Sequence, residues 1–280
     1  MKKSILTFIL AVVAGVFSMS ADTKTVNIST AYTGIHVSAG VKVTYLPGKT
    51  KSTTITIDGP ADRINNIQAS VTDKSLNITV VKNKNMRTGN LAKGVTITVR
   101  GPLVPNIAAS SGATITSSKW FEFKKSAVNL AASSSGDIIF PIIKCKTINI
   151  AASSSGNIKL QSVNATSVNL AASSSGDVKV DEVKAPTVNA AASSSGDVRV
   201  NTLTSTTLNA TASSSGDTKV SQLNTTSLNC VASSGGDITL AGKAQTGTFH
   251  ASSGGEVEAW NLDVKQTNVR QSSGGSVHLR

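Results

Sequence analysis

Six of the fifteen acidic side chains stand at one phase of the chain. Asp137, Asp177, Asp197, Asp217 and Asp237 each follow a glycine, and Asn157 and Glu256 occupy the same phase. Two residues further on come Lys159, Lys179, Arg199 and Lys219. A row of carboxylates suggests paired acids for glycosidic hydrolysis, or a calcium site. A catalytic pair needs a local departure from the pattern, and none of these acids departs. The Ser-Ser-Gly-Asp segment also lacks the glycine-rich nonapeptide of calcium-binding β-rolls. The favoured reading is a stripe of acids beside a stripe of bases. At the strand spacing of about 4.8 Å neighbouring acids repel, and the adjacent cations relieve this. An enzyme acting on carbohydrate would have to use Glu256, Glu258 and Asp263.

The other reactive types are dispersed. His36, His250 and His278 show no metal-ligand spacing. The serines of Ser-Ser-Ser-Gly recur too often for a nucleophile and suit a tight bend, with the glycine expected to supply positive φ. The polar run around Lys82, Lys84 and Arg87 reads as a basic loop able to touch anionic polysaccharide, lipid headgroups or nucleic acid. Without interleaved aromatics, nucleic acid is not expected. Trp120 and Trp260 could stack on a sugar ring or cover an apolar edge. Lys82, Lys84, Arg87, Trp120 and Trp260 are therefore the candidate ligand contacts; no catalytic residue, cofactor or metal is expected.

What positions these residues is a repeat. Ala-Ala-Ser-Ser-Ser-Gly begins at 131, 151, 171 and 191, and related forms continue to the C-terminus. The marker glycines Gly112, Gly136, Gly156, Gly176, Gly196, Gly216, Gly236, Gly255 and Gly275 are spaced by 24, then 20 five times, then 19 and 20. A period of 20 without helical patterning means one coil of a β-solenoid per repeat. In the coil Ser167 to Pro186, Val168, Leu170, Ala172, Val178 and Val180 alternate with polar or small residues, so two half-buried strands flank the serine turn. A third corner is expected near Val183 and Ala185. Val128, Ile148, Val168, Val188, Leu208 and Leu228 should form one core column, and Ile138, Ile158, Val178 and Val198 another. One coil buries too little apolar surface to offset the entropy of ordering it, so the coils must stack.

The expected fold is all-β: a parallel β-helix, right-handed by its period. Residues 1–20 read as a signal peptide, with Lys2-Lys3, an apolar stretch and small residues before the cleavage point. Residues 21–105 form a basic β-rich segment that stacks on or continues the solenoid, and 106–280 hold about nine repeats. Of the formal charge of +12, residues 21–125 contribute +9 (14 Lys or Arg, 5 Asp or Glu) and 126–280 only +1 (11 against 10). No later run is long and apolar enough for a membrane helix. Asn129, Asn149, Asn169, Asn189, Asn209, Asn229 and Asn268 read as a stacked amide ladder. Cys145 and Cys230 lie just over four coils apart, roughly 20 Å along the axis, so both should be free.

The succession Gly34-Ile35-His36-Val37-Ser38-Ala39-Gly40-Val41, a Pro-Gly turn, Thr53 to Ile57, Leu76 to Val80 and Val95 to Val99, leading into the first Ser-Ser-Gly, resembles the head GIN domain family of autotransporter adhesins. The resemblance implies an exported all-β solenoid and supplies no catalytic residue. No C-terminal barrel pattern with aromatic girdles is visible. The expectation is a non-enzymatic, adhesin-like binding or structural protein, periplasmic or at the cell surface. Its partner would be a polysaccharide, matrix or envelope component. A carbohydrate-active β-helix enzyme and a self-assembling surface protein are the alternatives.

Overall fold

A computed structural model describes residues 22–81, 92–124 and 127–280. The signal sequence expected at 1–20 and the loop residues Lys82, Lys84 and Arg87 lie outside the described residues. The fold is a β-solenoid of about nine stacked turns. Its regular coils are built from strand pairs: β11 (Ala127–Ala132) and β12 (Asp137–Lys144), β13 (Thr147–Ala152) and β14 (Asn157–Asn164), β15 (Ser167–Ala172) and β16 (Asp177–Lys184). Next come β17 (Thr187–Ser193), then longer strands that run unbroken through two corners: β18 (Asp197–Ser213), β19 (Asp217–Ser233), β20 (Asp237–Ser252) and β21 (Glu256–Gln271), closed by β22 (Ser276–Leu279). Each pairs in parallel with its equivalent one coil on, for example Val168 with Val188 and Val178 with Val198.

The two forecast core columns are at most 1% exposed along their whole lengths. In the coil from Val168, inward side chains step by two along a face and by three around a corner. Val178 and Val180 are followed by Val183, and Ala185 by Val188. The corners therefore fall at 181–182 and 186–187, and Val183 and Ala185 form a short third face between them. This coil is narrow, so Val, Ile, Leu and Ala fill it, and aromatics enter only where the repeat is perturbed.

The N-terminal segment continues the stack. Strands β2 (Gly34–Val37) and β3 (Lys42–Gly48) lie between β6 (Ser75–Val80) and β7 (Thr96–Pro102) on one side and β8 (Asn106–Ala109) and β9 (Thr114–Thr116) on the other, all in parallel. Beyond them the stack ends in antiparallel pairings. β1 (Asp22–Ile28) joins β4 (Thr53–Gly59), which joins β7, while β5 (Ile67–Thr72) joins β6. The one-turn helix α1 (Ala61–Ile64) contributes the buried Ile64. The short strand β10 (Phe121–Glu122) pairs with Ile143–Lys144.

The serine turns correct the expected role of glycine. Both central residues of each turn have positive φ, such as Ser174 at 49° and Ser175 at 60°. The turn is closed by Gly176 N–H donating to the Ser173 carbonyl at 2.9 Å, and these φ signs are those of a type I′ turn. The marker glycines from Gly136 onward are not at positive φ. They are required by contact: a Cβ on Gly176 would lie 2.5 Å from the Ala152 carbonyl carbon and the Ser153 nitrogen of the preceding coil. The 24-residue spacing is corrected as well, because Thr114 pairs with Asp137, a step of 23. Gly112, at φ 72°, thus matches Ser135, and Ala113 stands where Gly136 does.

Both thiols are free, as expected. Cys230 is buried; Cys145 is half-buried, and burial pushes its thiol up to about 11.

Two substitutions separate contact from φ. Gly176→Ala should destabilise the protein by on the order of 3 kcal/mol, the upper range for overpacking a tight site. Ser175→Gly should cost nothing, since Gly235, Gly254 and Gly274 hold the same φ in later turns. Thermal or denaturant melts check this, and equal losses in both variants would contradict it.

Candidate functional site

Stacking aligns surface residues into columns, and the asparagine column is the most regular. Each amide donates Nδ2–H to the Oδ1 of the coil before: Asn129 to Asn106 at 2.7 Å, then Asn149, Asn169, Asn189 and Asn209 each to its predecessor at 2.8 Å. Asn106 heads the ladder although the longer first step hid it from a count by twenty. Thr248 stands between Asn229 and Asn268 in register, so the column is broken there. From Asn106 to Asn209 the amides are spent on one another, which fits a structural ladder.

The acid column forms as expected, with Arg199 at its centre. Its guanidinium meets the Asp197 carboxylate at 2.5 Å and that of Asp177 at 3.8 Å. Burial, then the neighbouring Asp197, raises the Asp177 carboxyl above its ordinary value, with Arg199 opposing. Burial followed by Asp197 and Asp237 raises Asp217. The bases lapse at the C-terminal end, where Thr239 and Glu258 occupy their column. There Asp237 is raised by burial, then by Glu256 and Glu258. Glu256 meets His278 Nε2 at 3.2 Å, and Glu258 accepts from the Thr239 hydroxyl at 3.4 Å. Asp263 is in register with Lys243, beyond the corner at Trp260 and Asn261, so the three acids considered for catalysis do not stand on one face. No group of metal-ligating side chains occurs among the described residues.

The two tryptophans are both 56% exposed. Trp260 stacks on the His278 ring, with centroids 5.1 Å apart. Trp120 carries the Lys144 ammonium 5.5 Å from its ring centroid, a cation–π contact. The strand it precedes explains its exposure. Phe121 and Phe123 turn inward, Phe121 meeting Phe140 edge-on at 4.7 Å and Tyr45 at 5.8 Å. By alternation Trp120 and Glu122 face out.

Trp120 stands beside the head of a furrow along one corner of the solenoid. The furrow is made of two adjoining hollows of about 410 and 380 Å³ that share Asn164. Its floor is the column Phe123, Cys145, Ala165, Ala185 and Ser205, at the edge of the short third face beside a corner; their N–H groups from Phe123 to Ala185 each donate to the coil ahead. Glu122, Lys144 and Lys184 line one wall; Lys124 and Lys146 line the other. Lys184 is paired with Glu182 at 2.6 Å. Lys124, Lys144 and Lys146 make no ion pair among the described residues. Sequence reasoning missed these three lysines. The true step across β10, where Glu122 matches Lys144, puts Lys124 level with Lys146.

The carboxyls raised in the folded state hold their protons more tightly than in the unfolded chain. Their contribution to stability is full below the ordinary value of 3.8 and is lost as pH rises through the raised folded-state value. Asp237→Asn should therefore stabilise the fold at neutral pH by on the order of 0.2–1 kcal/mol, through relief of like-charge neighbours, and so raise the melting temperature. The gain should vanish in acid well below 3.8. Melts across that range check this, and a gain independent of pH would contradict it.

Comparison with known proteins agrees with the fold. A crystal structure described as a putative adhesin from Parabacteroides distasonis is 14% identical, covering 94% of this chain and 98% of that one, with a TM-score of 0.61. A putative adhesin from Bacteroides fragilis is 16% identical over 91% of this chain and 98% of that one, at 0.55. A structure from Parabacteroides distasonis described as a putative lipid binding protein is 15% identical over 94% and 98%, at 0.56. At these identities the likeness shows the fold alone. No curated protein matches the chain. The family model for the putative auto-transporter adhesin, head GIN domain, matches residues 31–221 and 200–280, and the chain belongs to that family.

Proposed function

We propose that this chain is an exported, non-enzymatic, adhesin-like binding protein of the bacterial cell envelope. The observation that carries the reading is the residue-for-residue parallel register of successive coils from Thr147 to Val220. It converts single residues into surface columns that repeat the same chemistry coil after coil, as the asparagine ladder shows. A surface of this kind suits a partner that is itself extended and repetitive, because many weak contacts at equal spacing add up along one rigid face. Membership of an adhesin family supports the same reading. No described helix is long and apolar enough to cross a membrane.

The acids also favour binding over turnover. The raised carboxyls of the column are neighbours in one stripe, and Glu256 and Glu258 are engaged by His278 and Thr239. Glycosidic hydrolysis needs two carboxyls facing each other across a bond. A stripe along one strand face instead gives a graded field.

An array of glycans, matrix proteins and envelope fractions probed with the purified chain tests the reading. The expected outcome is retention by at least one extended polymer, with that polymer's chain length unchanged after incubation. Retention by nothing above background, or shortening of the polymer, would overturn it.

A further inference from the structure

Along the corner furrow, Trp120, Lys124, Lys144 and Lys146 make a combination found at no other corner of the described solenoid. An exposed indole is held by a lysine at 5.5 Å, and three ammonium groups without ion-pair partners stand at one end of a channel. The channel continues over Ala165, Ala185 and Ser205 toward the next coils. From the level of Phe123 to that of Ser205 it spans four coil steps, about 19 Å at about 4.8 Å per step.

We propose that this furrow binds a linear acidic polysaccharide, with a sugar ring on Trp120 and its acid groups on Lys124, Lys144 and Lys146; the proposal rests on the binding-protein reading and names its site and ligand class. Three features select this partner. The unpaired cations call for an anion, and an aromatic face beside them suits a pyranose, whose C–H face packs on an indole. The coil step is close to the length that one pyranose adds to an extended chain, so successive sugars meet successive coils.

Other anionic partners fit less well. A membrane surface is met by protruding apolar side chains, whereas this site is a channel with small residues on its floor. A single-stranded nucleic acid needs a series of aromatic faces, and Trp120 is the one aromatic exposed at the furrow. A peptide strand would need an open sheet edge, and here the backbone groups of the floor are spent on the coil-to-coil ladder.

The test uses the full chain with fluorescent oligosaccharides of alginate, polygalacturonate and chondroitin sulfate, with a neutral dextran oligosaccharide as control, read by anisotropy. Phosphatidylglycerol vesicles are tested by co-sedimentation. At least one acidic oligosaccharide should bind, more weakly as salt rises, and dextran and vesicles should not. Trp120→Ala and the double variant Lys144→Ala/Lys146→Ala should each weaken binding about tenfold, equivalent to about 1.4 kcal/mol. Trp260→Ala should leave it unchanged. All these side chains are exposed, and melting curves verify that the variants fold. Unchanged affinity in both furrow variants would overturn the site while leaving the adhesin reading intact. Equal binding of dextran, preference for the vesicles, or no binding of any acidic oligosaccharide would overturn the ligand class. Failure of the whole array described above would instead remove the reading beneath it.

Discussion

Everything in this molecule depends on one close approach. Where the chain reverses at each serine turn, the backbone of one coil lies so near the next that a Cβ at Gly156, Gly176 or Gly196 would sit within 2.7 Å of its neighbour's main chain. Glycine at that point lets successive turns stack directly. The stacked turns hydrogen-bond to one another, Ser155 N–H to the Ser174 carbonyl at 3.2 Å and Ser175 to Ser194 at 3.1 Å. These bonds and the parallel ladders offset the strain of two consecutive L-residues at positive φ, a conformation that costs roughly 1–2 kcal/mol per residue outside glycine.

From this stacking follow both the core and the surface. The coil's cross-section is small, so aliphatic columns fill it, and the few aromatics collect where the step is irregular, as Tyr45, Phe121 and Phe140 do. Outside, identical residues are forced into contact at strand spacing. Asparagines profit because each amide both donates and accepts. Aspartates suffer, and Arg199 bridges Asp177 and Asp197, while at the C-terminal end the base column gives way to Thr239 and Glu258. The same alignment brings lysines from separate coils to one corner beside Trp120.

Much of this was legible because a period of twenty is visible in the letters. The core columns, the asparagine ladder, the paired acid and base stripes and the free thiols all follow from counting. What counting missed lies where the period fails. The first step is 23 residues, with one extra residue ahead of Phe121 and two after Glu122. That shift hides Asn106 from the ladder, pairs Gly112 with the wrong glycine and moves Lys124 from the level of Lys144 to that of Lys146. The interleaving of β2 and β3 between β6–β7 and β8–β9 was equally hidden, since strand order in space need not follow the chain. The role of glycine was misjudged for a different reason: close approach between coils and positive φ both select it, and only the backbone distinguishes them.

The central claim is that stacking creates one linear binding face at the furrow corner. Lysine acylation of the full chain, with and without an acidic polysaccharide and read by mass spectrometry, tests it most directly. The account predicts protection of Lys124, Lys144, Lys146 and Lys184, with Lys159, Lys179 and Lys219 of the base stripe labelled as in the free protein. Protection of the base stripe in place of the furrow lysines would contradict it.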